Sequence, residues 1–353
     1  MINSIQVLRA LAALAVVFYH LFAVQDKYFS TLELPYFFKF GKSGVDMFFV
    51  ISGFIMVLVT KDIKPGFESA KKFIIKRLIR IYPIYWVYSF LVLIVYMMYP
   101  SLVNSSQGGQ VNIIESFLLL PQDVLPLLMV GWTLTYEVYF YLLFFLCALF
   151  LNWRNFPLFF LFLSIAILVV NDRYENAYLN VLFNPLVLEF LLGSVLAYFY
   201  ICFIFSKRHV LTIFVLSIIV FASSFSYVYI NEMIDNLSDF ERFFYFGVPS
   251  SFVLLSIVLL EREYGLSMPK ILVILGDSSY SLYLSHILVI NAYCLLWDRI
   301  FPAYFINDLV KMLTLIVVVI IYSYLSFVFL ERNIASSLRC FLQTKAGRLN
   351  KGC

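Results

Sequence analysis

Charge is scarce in this chain. Asp, Glu, Lys and Arg make up 13% of its 353 residues, about half the share found in an average soluble domain. Histidine occurs three times, at dispersed positions that supply no spacing for a metal site. The five cysteines are Cys147, Cys202, Cys294, Cys340 and Cys353, and no CxxC pair occurs among them. The first three lie inside apolar segments and read as small core residues, not as a disulfide frame or metal ligands. No linker, low-complexity tract or clear internal repeat interrupts the chain, and no inverted half-repeat of the transporter kind stands out. The net charge of +4 follows from membrane topology and asks for no nucleic-acid partner.

What is present is apolar surface. The hydrophobic share is 63% and the mean hydropathy is +0.93. That excess is too large for one buried core and must face lipid. The expected fold is all-α: a polytopic transmembrane helical bundle of about ten spans. One membrane domain is expected over 1–335, with a short basic cytoplasmic tail over 336–353. The apolar stretches run over 5–23, 44–60, 81–99, 133–151, 156–170, 180–205, 210–230, 243–260, 271–297 and 311–330. The fifth is short for a span of about 20 residues. The ninth carries Gly276-Asp277-Ser278-Ser279 near its start, so its helix is expected to begin near Tyr280. No convincing cleavage site follows the first stretch, which therefore reads as a span and not as a signal peptide.

Orientation follows from the cations between these stretches. Seventeen of the 25 Lys and Arg fall on the N-terminal side, seven fall on the other, and Arg9 lies inside the first stretch. Lys and Arg gather on the cytoplasmic side of membrane proteins. Both termini are therefore expected in the cytoplasm.

Ionisable residues inside spans are costly and mark candidate sites. Five stand out: Arg9, His20, Asp46, Glu137 and His286. Arg9 and His20 are eleven residues apart, about 20° beyond three full turns, so they share a helix face. Each also has a plain structural reading. Arg9 suits a snorkelling arginine, and His20 an interfacial histidine bonded to a neighbouring helix. Asp46 suits a helix N-terminal carboxylate, and Ser52-Gly53 in the same span suits close helix packing. Thr133 or Thr135 suits a helix cap with Glu137 in the first turn. Trp132 and Tyr136 suit an aromatic belt. His286 alone suits a structural hydrogen bonder. Arg77 and Arg80 are three apart and share a face if their helix starts early. They suit bidentate phosphate binding, or simply the positive-inside signal.

Five ordered blocks carry a resemblance. They are Ile5-Gln6-Val7-Leu8-Arg9-Ala10 through His20, Gly44-Val45-Asp46-Met47-Phe48-Phe49-Val50-Ile51-Ser52-Gly53-Phe54, and Arg77-Leu78-Ile79-Arg80-Ile81-Tyr82-Pro83. Trp132-Thr133-Leu134-Thr135-Tyr136-Glu137 and Ser279-Tyr280-Ser281-Leu282-Tyr283-Leu284-Ser285-His286 complete the set. Together they resemble the acyltransferase-3 family of membrane-bound bacterial acyltransferases, over nearly the whole chain. The resemblance implies transfer of an acyl group, usually acetyl, from cytoplasmic acyl-CoA to a hydroxyl of an envelope or exported glycan such as O-antigen. It places the protein among the lipids of the bacterial inner membrane.

Acyl transfer to a hydroxyl needs a base and a stabilised oxyanion. On that reading His20 is the general base, because an imidazole titrates near neutrality. Glu137 or Asp46 would orient its other nitrogen. His286 and nearby hydroxyls would contact the oxyanion or acceptor. Arg77 and Arg80, supported by Arg9, would hold the phosphates of acetyl-CoA or another acyl-CoA. Trp132, Tyr136, Ser281 and Tyr283 would contact substrate, and no metal is expected. Direct transfer is preferred over an acyl-enzyme at Ser52 or Ser281. The alternatives are a transporter or flippase for an acyl group or glycan intermediate, and a non-catalytic partner of glycan machinery.

Overall fold

A computed structural model describes residues 2–29, 32–104, 107–170, 174–301 and 308–349, and no strand occurs among them. Nine of the described helices are long and apolar enough to cross a membrane, and a shorter apolar one spans Trp153–Val169. The principal helices are α1 (Asn3–Ala23), α2 (Ser43–Thr60), α3 (Phe67–Met98), α4 (Gly131–Phe150), α5 (Phe156–Val169), α6 (Val187–Cys202), α7 (Lys207–Ile230), α8 (Val248–Tyr264), α9 (Ser279–Ile300) and α10 (Asp308–Ser326). The chain is a multi-pass membrane protein, as its composition requires.

Two boundaries differ from the hydropathy reading, and the start of α9 agrees with it to within one residue. α3 begins at Phe67, not near 81, and runs for 32 residues. Its first turns are amphipathic: Ala70 and Phe73 are buried while Lys71 and Lys72 are exposed, so averaged hydropathy hides the helix. α9 begins at Ser279, after a short helix Lys270–Asp277 that ends in the polar cluster. α10 continues through a π-helical turn, Phe327–Glu331, into a helix spanning Arg332–Leu349. The expected boundary at 335/336 therefore falls inside a helix. Cys147 and Cys294 are buried as expected, whereas Cys202 is exposed at the end of α6. Arg173 and Lys351, both used in the charge count, lie outside the described residues, as does Cys353.

The connections gather alternately at two ends of the bundle. At one end the Asn3 and Ser4 amides donate to Glu261 at 2.9 and 2.7 Å. Those amides have no partner within α1, and a carboxylate there also suits the helix dipole. The Gly66 amide donates to the Ala148 carbonyl at the same end, and Arg262 bonds the Phe203 carbonyl. At the other end Lys39 pairs with Asp235 at 2.5 Å, and Asn184 donates to Asp239 at 2.9 Å. There the buried Lys311 reaches the Tyr28 carbonyl at 2.9 Å and the Asp298 carboxylate. Both ends of the described chain lie on the Glu261 side, because Glu331 accepts from Ser281 early in α9.

Burial divides the helices. The apolar window leading into α2 is 61% buried, against 11% for α7. α7 instead turns Leu211, Val215, Ile218 and Ile219 outward, an apolar surface suited to lipid. The central seam is α2 against α6, set by two glycines. A Cβ on Gly53 would stand 1.9 Å from the Phe190 carbonyl oxygen, and one on Gly193 2.0 Å from that of Val50. Without side chains at these points the two backbones touch, which replaces the hydrophobic drive that lipid removes. The close-packing reading of Gly53 holds.

Candidate active site

His20 of α1 and His286 of α9 meet side to side. His286 is fully buried. Its Nδ1 lies 2.8 Å from the Tyr283 carbonyl and 3.2 Å from that of Leu282. A carbonyl only accepts, so Nδ1 carries the hydrogen and Nε2 presents a lone pair. That Nε2 lies 3.2 Å from Nδ1 of His20, which is also 3.0 Å from the Val16 carbonyl. The same logic gives His20 its hydrogen on Nδ1, donated to both. His20 Nε2 is then the unprotonated nitrogen, and the network holds it in that tautomer. Among the described residues no carboxylate bonds either ring, so the expected orienting role of Glu137 or Asp46 finds no contact here; His286 occupies that position instead.

A cavity of about 70 Å³ lies one turn of α9 from the pair, at Tyr283, and neither histidine is among the residues that line it. Its polar lining includes Arg9, Ser52, Arg80, Thr133, Glu137 and Tyr283, and its apolar wall includes Phe48, Phe49, Ile51, Ile55 and Ile81. The early start of α3 is what carries Arg80 into it. Arg9 and His20 both turn toward α9, Arg9 to its first turns and His20 to His286. Arg9 is buried and donates to Gln6 at 2.9 Å. Arg77 is not among the residues lining this cavity. Its guanidinium lies 5.8 Å from the Phe73 ring centre, and its Nε is buried without an acceptor.

α4 begins at Gly131, so Glu137 stands in its second turn, not its first. Neither threonine caps the helix. Thr133 instead donates to the Val130 carbonyl at 3.0 Å and bonds the Tyr283 hydroxyl at 2.8 Å. Thr135 lies 3.5 Å from the Gly131 carbonyl. Glu137 accepts from the Tyr141 hydroxyl and, at 3.5 Å, from Ser52. Tyr283 thus links the histidine pair, through its carbonyl, to α4, through its hydroxyl. Ser281 donates to Glu331 at 2.6 Å and does not line the cavity.

Asp46 is fully buried in the first turn of α2 and takes two hydrogen bonds from Arg242, at 3.0 and 3.1 Å. Arg242 also lies 6.0 Å from the Trp132 ring centre. Glu189 of α6, fully buried, lies within electrostatic reach of both. The sequence reading missed Glu189, although a Glu inside an apolar run is the same signal that found Glu137. Arg242 was hidden because it reads as a loop cation, and only the fold turns it inward.

A family model described as an acyltransferase domain matches residues 2–331. The chain belongs to that family, acyltransferase-3, and is an acyltransferase of the membrane-embedded kind. It is similar to the exopolysaccharide production protein ExoZ of Rhizobium meliloti (strain 1021), 29% identical over 272 residues, 72% of this chain and 78% of ExoZ. No solved structure matches it significantly.

Proposed function

We propose that this protein transfers an acyl group, in the first instance acetyl, from cytoplasmic acyl-CoA to a hydroxyl of an exported or surface polysaccharide, O-antigen being one such acceptor. The family supports the reaction class, and the printed name of its relative supports an exported glycan. The observation that carries the reading is the His20 tautomer. Its Nδ1–H is held by Val16 and His286, which leaves Nε2 free to accept a proton.

In this reading the acceptor hydroxyl gives its proton to His20 Nε2 as its oxygen bonds the thioester carbonyl carbon. The carbon–sulfur bond then breaks, and the sulfur leaves with the proton returned by His20. His20 keeps both Nδ1 contacts in the protonated state, so no rearrangement accompanies the transfer. The apolar wall suits the slender acyl-bearing arm of the donor, and Arg9 and Arg80 suit its phosphates. Arg77, set back from the cavity, would act more weakly. The side bearing both chain ends would face the cytoplasm of the bacterial inner membrane, as its Lys and Arg excess indicates.

The test is mass spectrometry of surface glycans from cells with and without the protein. A gain of an acetyl mass on one sugar upholds the proposal. A succinyl mass keeps the chemistry and changes the donor. Glycans that do not differ would overturn it.

A further inference from the structure

A second cavity, of about 240 Å³, opens at the end of the bundle opposite the chain termini. Its polar and aromatic lining includes Gln107, Gln122, Asp123, Trp132, Thr135 and Tyr136. It lies against the same opening turns of α4 as the donor cavity. Thr133, Leu134 and Glu137 face one cavity, while Trp132, Thr135 and Tyr136 face the other.

The walls are built in advance. The segment between α3 and α4 is pinned to α3 by three side chains. Tyr82 donates to the Leu118 carbonyl at 2.8 Å, Tyr85 to that of Ser116 at 2.5 Å, and Trp86 to that of Phe117 at 2.9 Å. The segment is also tied to itself: Asn104 donates to the Pro126 carbonyl at 2.9 Å, and Gln107 accepts from the Leu125 amide at 2.8 Å. Trp132 packs edge-on against Phe49 and Tyr136 at 6.5 and 6.1 Å. One group in this wall is left over. Both amide atoms of Gln122 are buried and have no hydrogen-bond partner. Buried amides are nearly always satisfied, so an unpaired one on a residue that lines a cavity is a candidate for a ligand group that reaches it.

The chemistry of the lining selects the ligand. Among the described residues lining this cavity there is no Lys, Arg or His, and Asp123 contributes a carboxylate. A phosphate or other anion would meet the Asp123 carboxylate, and the nearby guanidinium, that of Arg242 behind Trp132, is already paired with Asp46. An amide that both donates and accepts, a carboxylate that accepts, and flat aromatic faces suit a neutral polyhydroxylated ring. We infer that this cavity is the acceptor site and binds a neutral glycan segment, with Gln122 and Asp123 bonding sugar hydroxyls and Trp132 and Tyr136 stacking on ring faces. The inference rests on the acyltransferase reading for its role and on the cavity itself for its ligand.

The test uses the full chain reconstituted in lipid nanodiscs. The probes are labelled acetyl-CoA and the producing cells' surface polysaccharide, stripped of O-acyl groups by mild base. Gln122→Ala and Asp123→Asn are each expected to raise the half-saturating polysaccharide concentration about tenfold, the value of one lost hydrogen bond of this kind. Half-saturation by acetyl-CoA should not move in either variant. Acceptor half-saturation unmoved in both variants would overturn the assignment. If the wild-type chain transfers nothing, the transferase reading itself fails, and saturation-transfer NMR with oligosaccharide fragments of the same polysaccharide decides the cavity separately. Binding that Gln122→Ala abolishes upholds the glycan site, and fragments that do not bind the wild-type protein sink it.

Discussion

His286 Nε2 stands 3.2 Å from His20 Nδ1, and the two rings come from helices at opposite ends of the sequence. The contact is directional. Backbone carbonyls fix the hydrogen on His286 Nδ1, so its other nitrogen can only accept, and His20 must donate. A triad reaches the same end with a carboxylate on the far side of its histidine. In the proposed mechanism a neutral imidazole would do it, which would avoid placing another charge in the membrane interior.

His20→Ala removes the nitrogen that takes the acceptor proton. Turnover of labelled acetyl-CoA into polysaccharide should fall by about 10²- to 10⁴-fold, the usual worth of a general base. Expression and melting temperature should be nearly unchanged. Turnover within a few-fold of wild type would remove His20 from the mechanism.

His286→Phe keeps a ring of similar size and deletes the acceptor of the His20 hydrogen. The maximal rate is expected to drop about 10- to 100-fold, by analogy with the loss of partners that fix the tautomer of a metal-ligating histidine. Half-saturation by either substrate should stay put. His286→Gln, whose amide oxygen can accept the same bond, should recover part of the loss. If the Phe and Gln variants prove equally slow, His286 acts by packing and not by holding the tautomer.

The membrane class, the ten apolar helices and most of the polar residues of the site were legible from hydropathy and from charges out of place. Pairings were not. Nothing in the spacing of His20 and His286 says that they touch, because the contact closes a loop of more than 260 residues. Asp46 and Arg242 are hidden from each other in the same way, and Arg242 looks like an ordinary loop cation until the chain folds it inward. The start of α3 escaped because its lysines dilute an amphipathic face. Glu189 was readable, since a Glu between Leu188 and Phe190 is as costly as any found.

Arg80 lines the proposed donor cavity and Arg77 does not, so the two should differ although they are three residues apart. Arg80→Ala is expected to raise half-saturating acetyl-CoA by about 10-fold or more, as loss of a hydrogen bond to a charged group does. Arg77→Ala should raise it less. Titrating acetyl-CoA against each variant at fixed polysaccharide makes the comparison. Equal shifts would mean that the donor's phosphates do not enter this cavity.

Asp46 and Arg242 form a buried ion pair, with side-chain exposures of 0% and 12%. Taking one partner from such a pair leaves the other charged and dry, at a cost of about 3–5 kcal/mol. Asp46→Asn and Arg242→Gln should each lower the melting temperature of the detergent-solubilised protein sharply. The double variant should be more stable than the sum of the two losses predicts, because neither charge is then stranded. Additive losses would show that the pair is not coupled, and that Asp46 acts through Glu189 or the helix end alone.

Gly53 and Gly193 offer a test of the scaffold that leaves the chemistry untouched. A methyl group at Gly53 would meet the Phe190 carbonyl oxygen at 1.9 Å, and backbone cannot swing aside as a flexible side chain can. Gly53→Ala must therefore separate α2 from α6, at a cost of about 1–3 kcal/mol by the usual measure of overpacking. Because α2 also carries Ser52 and the cavity wall, the same shift should widen the proposed donor site. The expected signature is a lower melting temperature together with weaker acetyl-CoA binding. Gly265→Ala supplies the contrast: nothing lies within 4 Å of a Cβ there, and only its backbone angle of +64° is strained, so stability alone should fall. Unchanged stability in Gly53→Ala would mean that the α2–α6 seam is looser than the backbone contact requires.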